Sequence, residues 1–413
     1  LKVAIIGAGP AGLVATRHLS ESPNLQVTIF EVKDDIGGLW YYDEKNEADP
    51  HFDSHKSKDP YYQLNGNYHA SMYTYLQSNL PYFMDAFKDL SHPEIDENFP
   101  LYFNIAQQKS YLDAYTAKFD LKKHIEFNTL VKSVRLYKNL STEDQAKAPE
   151  QRKFIVQTIS SAENLTQYHA FDYVIVATGE HSKPYIPPIQ NIDKFKGKVI
   201  TAKDFRQPNA DYLKDKKIMV LGSSFSATDL TAQMLENPYV GPQPIEKITL
   251  VGRKLAYMHA SEDMKPFIER GKLSIIVGEI KQVLNENTIQ LADGSTHEVD
   301  TLILGTGYEF SFPFLDLEKD KIIDFNPKNF RGKFFGPLYK RFIPIREPDL
   351  FFLGMLNAAG LSISIFEIHA MLIKYIIQGK IKLPSKEQMV QSFLQDLNDI
   401  RFKHNIQLEN TLL

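Results

Sequence analysis

The chain has no cysteine among its 413 residues. That absence excludes a disulfide framework, a thiolate zinc site, a cysteine nucleophile and a dithiol redox pair. The twelve histidines are spread along the chain, and no metal site is expected. No apolar run reaches the 18 residues that a membrane helix needs. The nearest is the uncharged stretch Leu350–Phe366, which carries Asn357, Ser362 and Ser364 and reads as buried core. An excess of positive charge is also missing. Lysine and arginine number 47 against 51 acids, a net charge of −4, so binding to nucleic acid or to an anionic membrane is not expected. Tryptophan occurs once, at Trp40.

What remains is an ordinary soluble composition, 43% hydrophobic and 24% charged. A chain of this length holds two or three domains and buries cores without staples. The reading at this level is a soluble, cytoplasmic protein. The oligomeric state stays open, with a homodimer among the options.

The opening reads strand, glycine turn, helix, strand. Lys2–Ile6 is an apolar run of the kind buried on both faces of a parallel sheet. Gly7-Ala8-Gly9-Pro10-Ala11-Gly12 follows, then a helical pattern from Leu13 to Leu19, then a strand Gln26–Phe30 ending at Glu31. Gly7, Gly9 and Gly12 form G-x-G-x-x-G in the context that gives it meaning. The glycines allow a tight turn, close approach of a pyrophosphate and close helix–strand packing. Glu31 lies 19 residues beyond Gly12, where a carboxylate accepts ribose hydroxyls and repels a 2′-phosphate. This suits FAD or NAD and disfavours NADP.

The pattern returns about 215 residues later. Lys217–Leu221 leads into Gly222-Ser223-Ser224-Phe225-Ser226-Ala227 and a helix to about Leu235, followed by a strand over Ile245–Val251. That strand ends in Arg253 and Lys254, cations that suit the 2′-phosphate of NADPH. Asp172–Gly179 and Asp300–Gly307 mirror each other, each a buried strand with a Thr-Gly turn. They mark two crossings between domains. The expected fold is therefore α/β: two nested Rossmann-like, three-layer dinucleotide-binding domains, the NADPH domain (180–304) inserted into the FAD domain (1–179 and 305–413). Ser160–Thr166 and Asn285–Ser295 read as hairpin turns. A protein holding both cofactors moves hydride from NADPH to flavin. Without a cysteine pair, the flavin's acceptor is oxygen, a quinone or an external protein.

Several spaced motifs then resemble the flavin-containing monooxygenases. They are Gly38-Leu39-Trp40; His69-Ala70-Ser71-Met72-Tyr73 with Leu76, Ser78-Asn79 and Pro81; Ala177-Thr178-Gly179; and Gly305-Thr306-Gly307-Tyr308 with Phe312-Pro313-Phe314-Leu315. The second glycine turn and Leu383–Glu387 are most similar to the bacterial trimethylamine monooxygenase branch. The resemblance implies an NADPH- and O2-dependent enzyme that forms a C4a-hydroperoxyflavin and oxygenates a soft amine nitrogen or sulfide sulfur. It also implies roles. Asn79 is the expected catalytic residue, a neutral amide able to donate one hydrogen bond and accept another. Gly7, Gly9, Pro10, Ala11, Gly12, Glu31, Gly38, Leu39 and Trp40 would contact FAD, and His69, Val131, Thr178 and Gly179 are further cofactor-binding positions. Tyr185, Gly222, Ser223, Ser224, Ser226, Ala227, Arg253 and Lys254 would contact NADPH, with Asn79 serving NADP+ as well.

The sequence also departs from the family. In the signature F-x-G-x-x-x-H-x-x-x-F/Y, Phe195, Gly197 and Phe205 are in place but Thr201 replaces His. That bears on the coupling of the two half-reactions. Gln77 stands where the trimethylamine branch has Trp, Tyr82 replaces Lys, and Leu356–Leu361 lacks a tryptophan found in that branch. An aromatic cage for a small methylated cation is thus weakened. A Baeyer–Villiger monooxygenase, an uncoupled NADPH oxidase and a flavin redox sensor remain as alternatives.

Overall fold

The computed structural model describes residues 1–42, 70–160, 165–208, 210–236, 244–253, 264–316, 319–325, 335–355 and 362–404. The chain divides into two compact units. One comprises Leu1–Tyr42, Gln77–Ser182 and Glu309–Leu413, the other Asp43–Leu76 and Lys183–Tyr308.

In the first unit, β1 (Lys2–Ile6), α1 (Pro10–Ser20) and β2 (Gln26–Phe30) form the expected strand–helix–strand. A second helix, α2 (Ile105–Lys118), and a strand, β3 (Tyr173–Val176), complete the frame of the site. β1 lies between β2 and β3 in a five-stranded parallel sheet, with Leu350–Phe352 and Ile125–Glu126 at its edges. Side chains alternate between two cores, as the pleat requires. Val3, Ile5, Val27 and Ile29 face α1 and the helix Ser362–Ile377. Ala4, Ile6 and Phe30 share the opposite core with Val134, Phe154 and Val156 of an antiparallel three-stranded sheet. Helix, parallel sheet and antiparallel sheet make three layers. Two strands of the antiparallel sheet, Phe154–Ser160 and Thr166–Phe171, pair across the expected hairpin.

The second unit repeats the plan. Its strands β4 (Lys198–Thr201), β5 (Lys217–Leu221), β6 (Lys247–Gly252) and β7 (Thr301–Leu304) pair in parallel in the order β6-β5-β7-β4, with Leu273–Val277 beyond β6. Helix α3 (Phe225–Leu235) buries Leu230 and Met234 on one face with Ile218 and Val220. Val283, Ile289 and Leu291, from the antiparallel strands over 280–298, cover Met219 and Leu302 on the other.

One boundary differs from the sequence reading. Residues 70–76, taken there as part of the FAD domain, group with the second unit. The cause is a set of long-range bonds that local pattern does not encode. The buried Arg206 donates from Nη1 to the carbonyls of Ala70 (3.0 Å) and Met72 (2.8 Å), and its own carbonyl accepts from the Thr74 amide at 2.8 Å. The chain passes between the units at 42/43, 76/77, 182/183 and 308/309.

Candidate functional site: two glycine turns and the Trp40–Asn79 region

β1 ends against the first glycine turn, where the Gly7 amide donates to the Phe30 carbonyl at 2.9 Å. Gly9 is the N-cap of α1 and brings no side chain to it, and Pro10 occupies the first helical position, where a missing N–H costs nothing. The first-turn amides of α1, including that of the buried Ala11, are left for an anion. A Cβ on Gly12 would lie 2.0 Å from the Gly7 carbonyl oxygen, so only glycine lets helix and strand pack this closely. Gly38 (φ 56°) approaches the turn from the other side, and a Cβ there would fall 2.8 Å from the Gly9 Cα. Thr178 and Gly179 follow β3, and the buried Thr178 Oγ1 has no hydrogen-bond partner among the described residues. A glycine cradle with an orphaned hydroxyl beside it fits a dinucleotide phosphate.

Glu31 sits where the sequence placed it, buried at the end of β2. Its carboxylate accepts from the amides of Ala8 (2.6 Å) and Lys33 (2.9 Å). Burial pushes its pKa above the usual carboxylate range, against the opposing pull of these amides. Two oxygens offer about four acceptor directions, so capacity remains for ribose hydroxyls.

Leu39 and Trp40 complete a single 3₁₀ turn with Gly38. The Trp40 ring meets the fully buried Phe103 at 5.7 Å between centroids. Phe103 in turn grips the Asn79 segment. Its carbonyl accepts from the Ser78 amide (2.8 Å), and its amide donates to Ser78 Oγ (3.2 Å). Ser78 Oγ also donates to the Leu80 carbonyl at 2.8 Å, so Ser78 makes the turn contact that Asn79 could have made. Asn79 is exposed on this bend with its amide uncommitted among the described residues. Val131 is buried in a strand (Thr129–Leu136) whose register slips between Val131 and Ser133.

Two lysines escaped the sequence reading. Lys33 Nζ donates to the carbonyls of Gly38 and Tyr41, each at 3.4 Å. Lys109, from α2, pairs with Asp35 (2.8 Å) and Asp113 (2.6 Å) and packs its methylenes over Gly37. Only the i,i+4 relation of Lys109 to Asp113 was visible in sequence.

In the second unit, a Cβ on Gly222 would lie 2.2 Å from the Gly305 carbonyl, and Ala227 is buried against both glycines. Ser224, the N-cap residue of α3, makes no side-chain cap. Ser224 and Ser226 are exposed and Ser223 is half-buried at the helix start. Arg253, at the end of β6, is about half-exposed, its Nε 3.4 Å from Glu279. The Tyr185 amide donates to the Gly307 carbonyl at 2.8 Å, and its carbonyl accepts from Thr306 Oγ1 at 2.5 Å. His69 and Lys254 lie outside the described residues, as does the stretch 356–361.

The signature region is a packing device. Phe195 and Phe205 are core residues, and a Cβ on Gly197 would lie 2.4 Å from the Asp300 carbonyl and 2.5 Å from the Phe195 ring. Thr201, where the family has His, is buried and donates from Oγ1 to Asp204 at 2.6 Å. Among the described residues no group of His, Asp or Glu could hold a metal, and no helix is long and apolar enough to cross a membrane.

The model of the Flavin-binding monooxygenase-like family matches residues 1–238 and 253–410. Trimethylamine monooxygenase of Roseovarius sp. (strain 217) is 30% identical over 94% of this chain and 77% of its own length. Flavin-containing monooxygenase FMO GS-OX5 of Arabidopsis thaliana is 29% identical over 95% of this chain and 77% of its own. Among solved structures, S-allyl-L-cysteine S-oxygenase from Allium sativum superposes with a TM-score of 0.78 at 25% identity, covering 98% of this chain and 83% of that one. Tmm from Pelagibacter sp. strain HTCC7211 gives 0.74 at 27%, covering 100% and 82%. The matched residues span both glycine turns and the Trp40–Asn79 region, and the chain belongs to the flavin-binding monooxygenase-like family.

Proposed function

We propose that the protein is an NADPH- and O2-dependent flavin monooxygenase that oxygenates a soft nucleophile, an amine nitrogen or a sulfide sulfur. The observation that carries this reading is the pair of glycine turns with opposite charges after them. Glu31 follows the first, and Arg253 follows the second. A buried carboxylate selects a dinucleotide with free ribose hydroxyls, and an available guanidinium selects one with a 2′-phosphate.

FAD would rest on the Gly7–Gly12 turn and the start of α1, with Glu31 on its ribose and Gly38, Leu39 and Trp40 closing over it. Thr178 supplies a hydroxyl that has no partner among the described residues. NADPH would rest on Gly222–Ala227 with Arg253 on its 2′-phosphate. The chemistry that FAD supplies in such a site is hydride acceptance and activation of dioxygen. Asn79 orients the reacting partners by donating from its amide nitrogen and accepting at its oxygen, without exchanging a proton at neutral pH. The Trp40 and Phe103 rings, packed at an incline, would exclude water on their side. No acid–base pair is needed.

The test is aerobic turnover with NADPH and a panel of tertiary amines and thioethers in labelled dioxygen. An N-oxide or sulfoxide carrying one labelled oxygen supports the proposal. Peroxide as the sole product with every substrate contradicts it.

A further inference from the structure

Residues 70–76 are fastened to the second unit by more than the Arg206 bonds. The buried Tyr73 ring packs edge-on against Phe205 at 5.7 Å between centroids, and the Tyr73 hydroxyl donates to the carboxylate of Asp229. Asp229 is the fifth residue of α3, the helix that opens on the Gly222–Ala227 turn. Nothing in apolar packing requires a carboxylate there. The Tyr73 hydroxyl is buried and the Asp229 carboxylate half-buried, and groups so withdrawn from water are stable only while each satisfies the other.

The position of this bond along the chain gives it consequence. Tyr73 precedes Asn79 by six residues. The chain leaves the second unit after Leu76, and among the described residues the Asn79 side chain has no partner of its own to fix it. An α-helix is stiff along its axis, so a ligand seated on the first turn of α3 also holds Asp229, one turn further on.

We propose that Tyr73 and Asp229 are positioning residues, which make segment 70–76 part of the support of the second glycine turn, so that a dinucleotide bound at that turn orders the chain entering Asn79. This rests on the assignment of NADPH to Gly222–Ala227. It goes further in naming the residues through which nucleotide occupancy reaches the oxygenation site.

The test is hydrogen–deuterium exchange on the FAD-loaded enzyme with and without NADP+, for wild type, Tyr73→Phe and Asp229→Asn. Tyr73→Phe keeps the ring and removes only the hydroxyl. Asp229→Asn keeps an oxygen that can accept. In wild type and Asp229→Asn, NADP+ should slow exchange in both 222–230 and 70–79. In Tyr73→Phe it should slow 222–230 alone, and peroxide released per NADPH should rise about five-fold, the scale of one lost hydrogen bond. Equal slowing of 70–79 in Tyr73→Phe and wild type overturns the inference, as does wild-type slowing confined to 222–230. No slowing at 222–230 in wild type removes the NADPH assignment itself. A merely structural pair would lower the thermal midpoint of both variants and leave the NADP+ response of 70–79 unchanged.

Discussion

The Trp40 ring packs against Phe103 at 5.7 Å between centroids, the planes inclined by 52°. Through that one buried ring the turn of Gly38–Trp40 meets the bend of Ser78–Asn79, because Phe103 bonds Ser78 with both its amide and its carbonyl. Phe103→Ala should therefore cost about 3 kcal/mol or more of stability and weaken FAD retention together. Trp40 is the only tryptophan, so tryptophan emission reports this spot alone. FAD added to the apoprotein should quench most of that emission. Unchanged emission at saturating FAD would place the flavin elsewhere.

Arg253 is half-exposed and its pairing with Glu279 is long. Such surface pairs are worth little, and the guanidinium is easily recruited by a phosphate. Arg253→Ala should raise the KM for NADPH about ten-fold, the weight of one charge-assisted contact, and leave that for NADH nearly unchanged. Equal effects on both nucleotides would remove the 2′-phosphate role.

Thr201 ends β4 in a buried turn closed by Asp204. Losing the family histidine here changes packing chemistry within the second unit's core. Thr201→Val should cost about 1 kcal/mol and leave NADPH oxidation and peroxide yield unaltered. A rise in peroxide release without loss of stability would restore a direct part for this position in coupling.

Asp85 lies just past the Asn79 bend, with the Gln108 side-chain amide 3.3 Å from its carbonyl. Burial raises its pKa from 3.8 to about 6. A carboxyl raised in the folded state favours folding below its unfolded pKa, and that contribution is lost as pH climbs through about 6. Asp85→Asn abolishes the loss. The variant should gain stability relative to wild type between about pH 4 and pH 7.5, by up to about 3 kcal/mol. Parallel thermal-midpoint profiles over that range would show that Asp85 is not held in this environment.

Local chemistry made much of this legible. Two apolar strands each ending in a glycine turn and a helix can be read residue by residue, and β1, β2 and β5 fall where the pattern put them. Glu31 was legible because a carboxylate at a strand end has few reasons to be there. What escaped reading depends on contacts between distant segments. Arg206 gives no sign in sequence that it will be buried against the carbonyls of Ala70 and Met72. Nor does Lys109 announce Asp35, or Tyr73 announce Asp229. Residues 70–76 group with the second unit for that reason, since such bonds follow spatial proximity while sequence order favours the nearer neighbour. The signature around Thr201 is legible as a motif, but its part in packing Phe195 and Phe205 depends on the Gly197–Asp300 approach, which joins segments about a hundred residues apart.

The central claim is tested most directly by rapid mixing. The enzyme would be reduced anaerobically with NADPH, mixed with oxygenated buffer, and followed by flavin absorbance. The account predicts a long delay before the oxidised spectrum returns, shortened in proportion to added amine or sulfide. Immediate return to oxidised flavin with stoichiometric peroxide, unaffected by any such substrate, would contradict it.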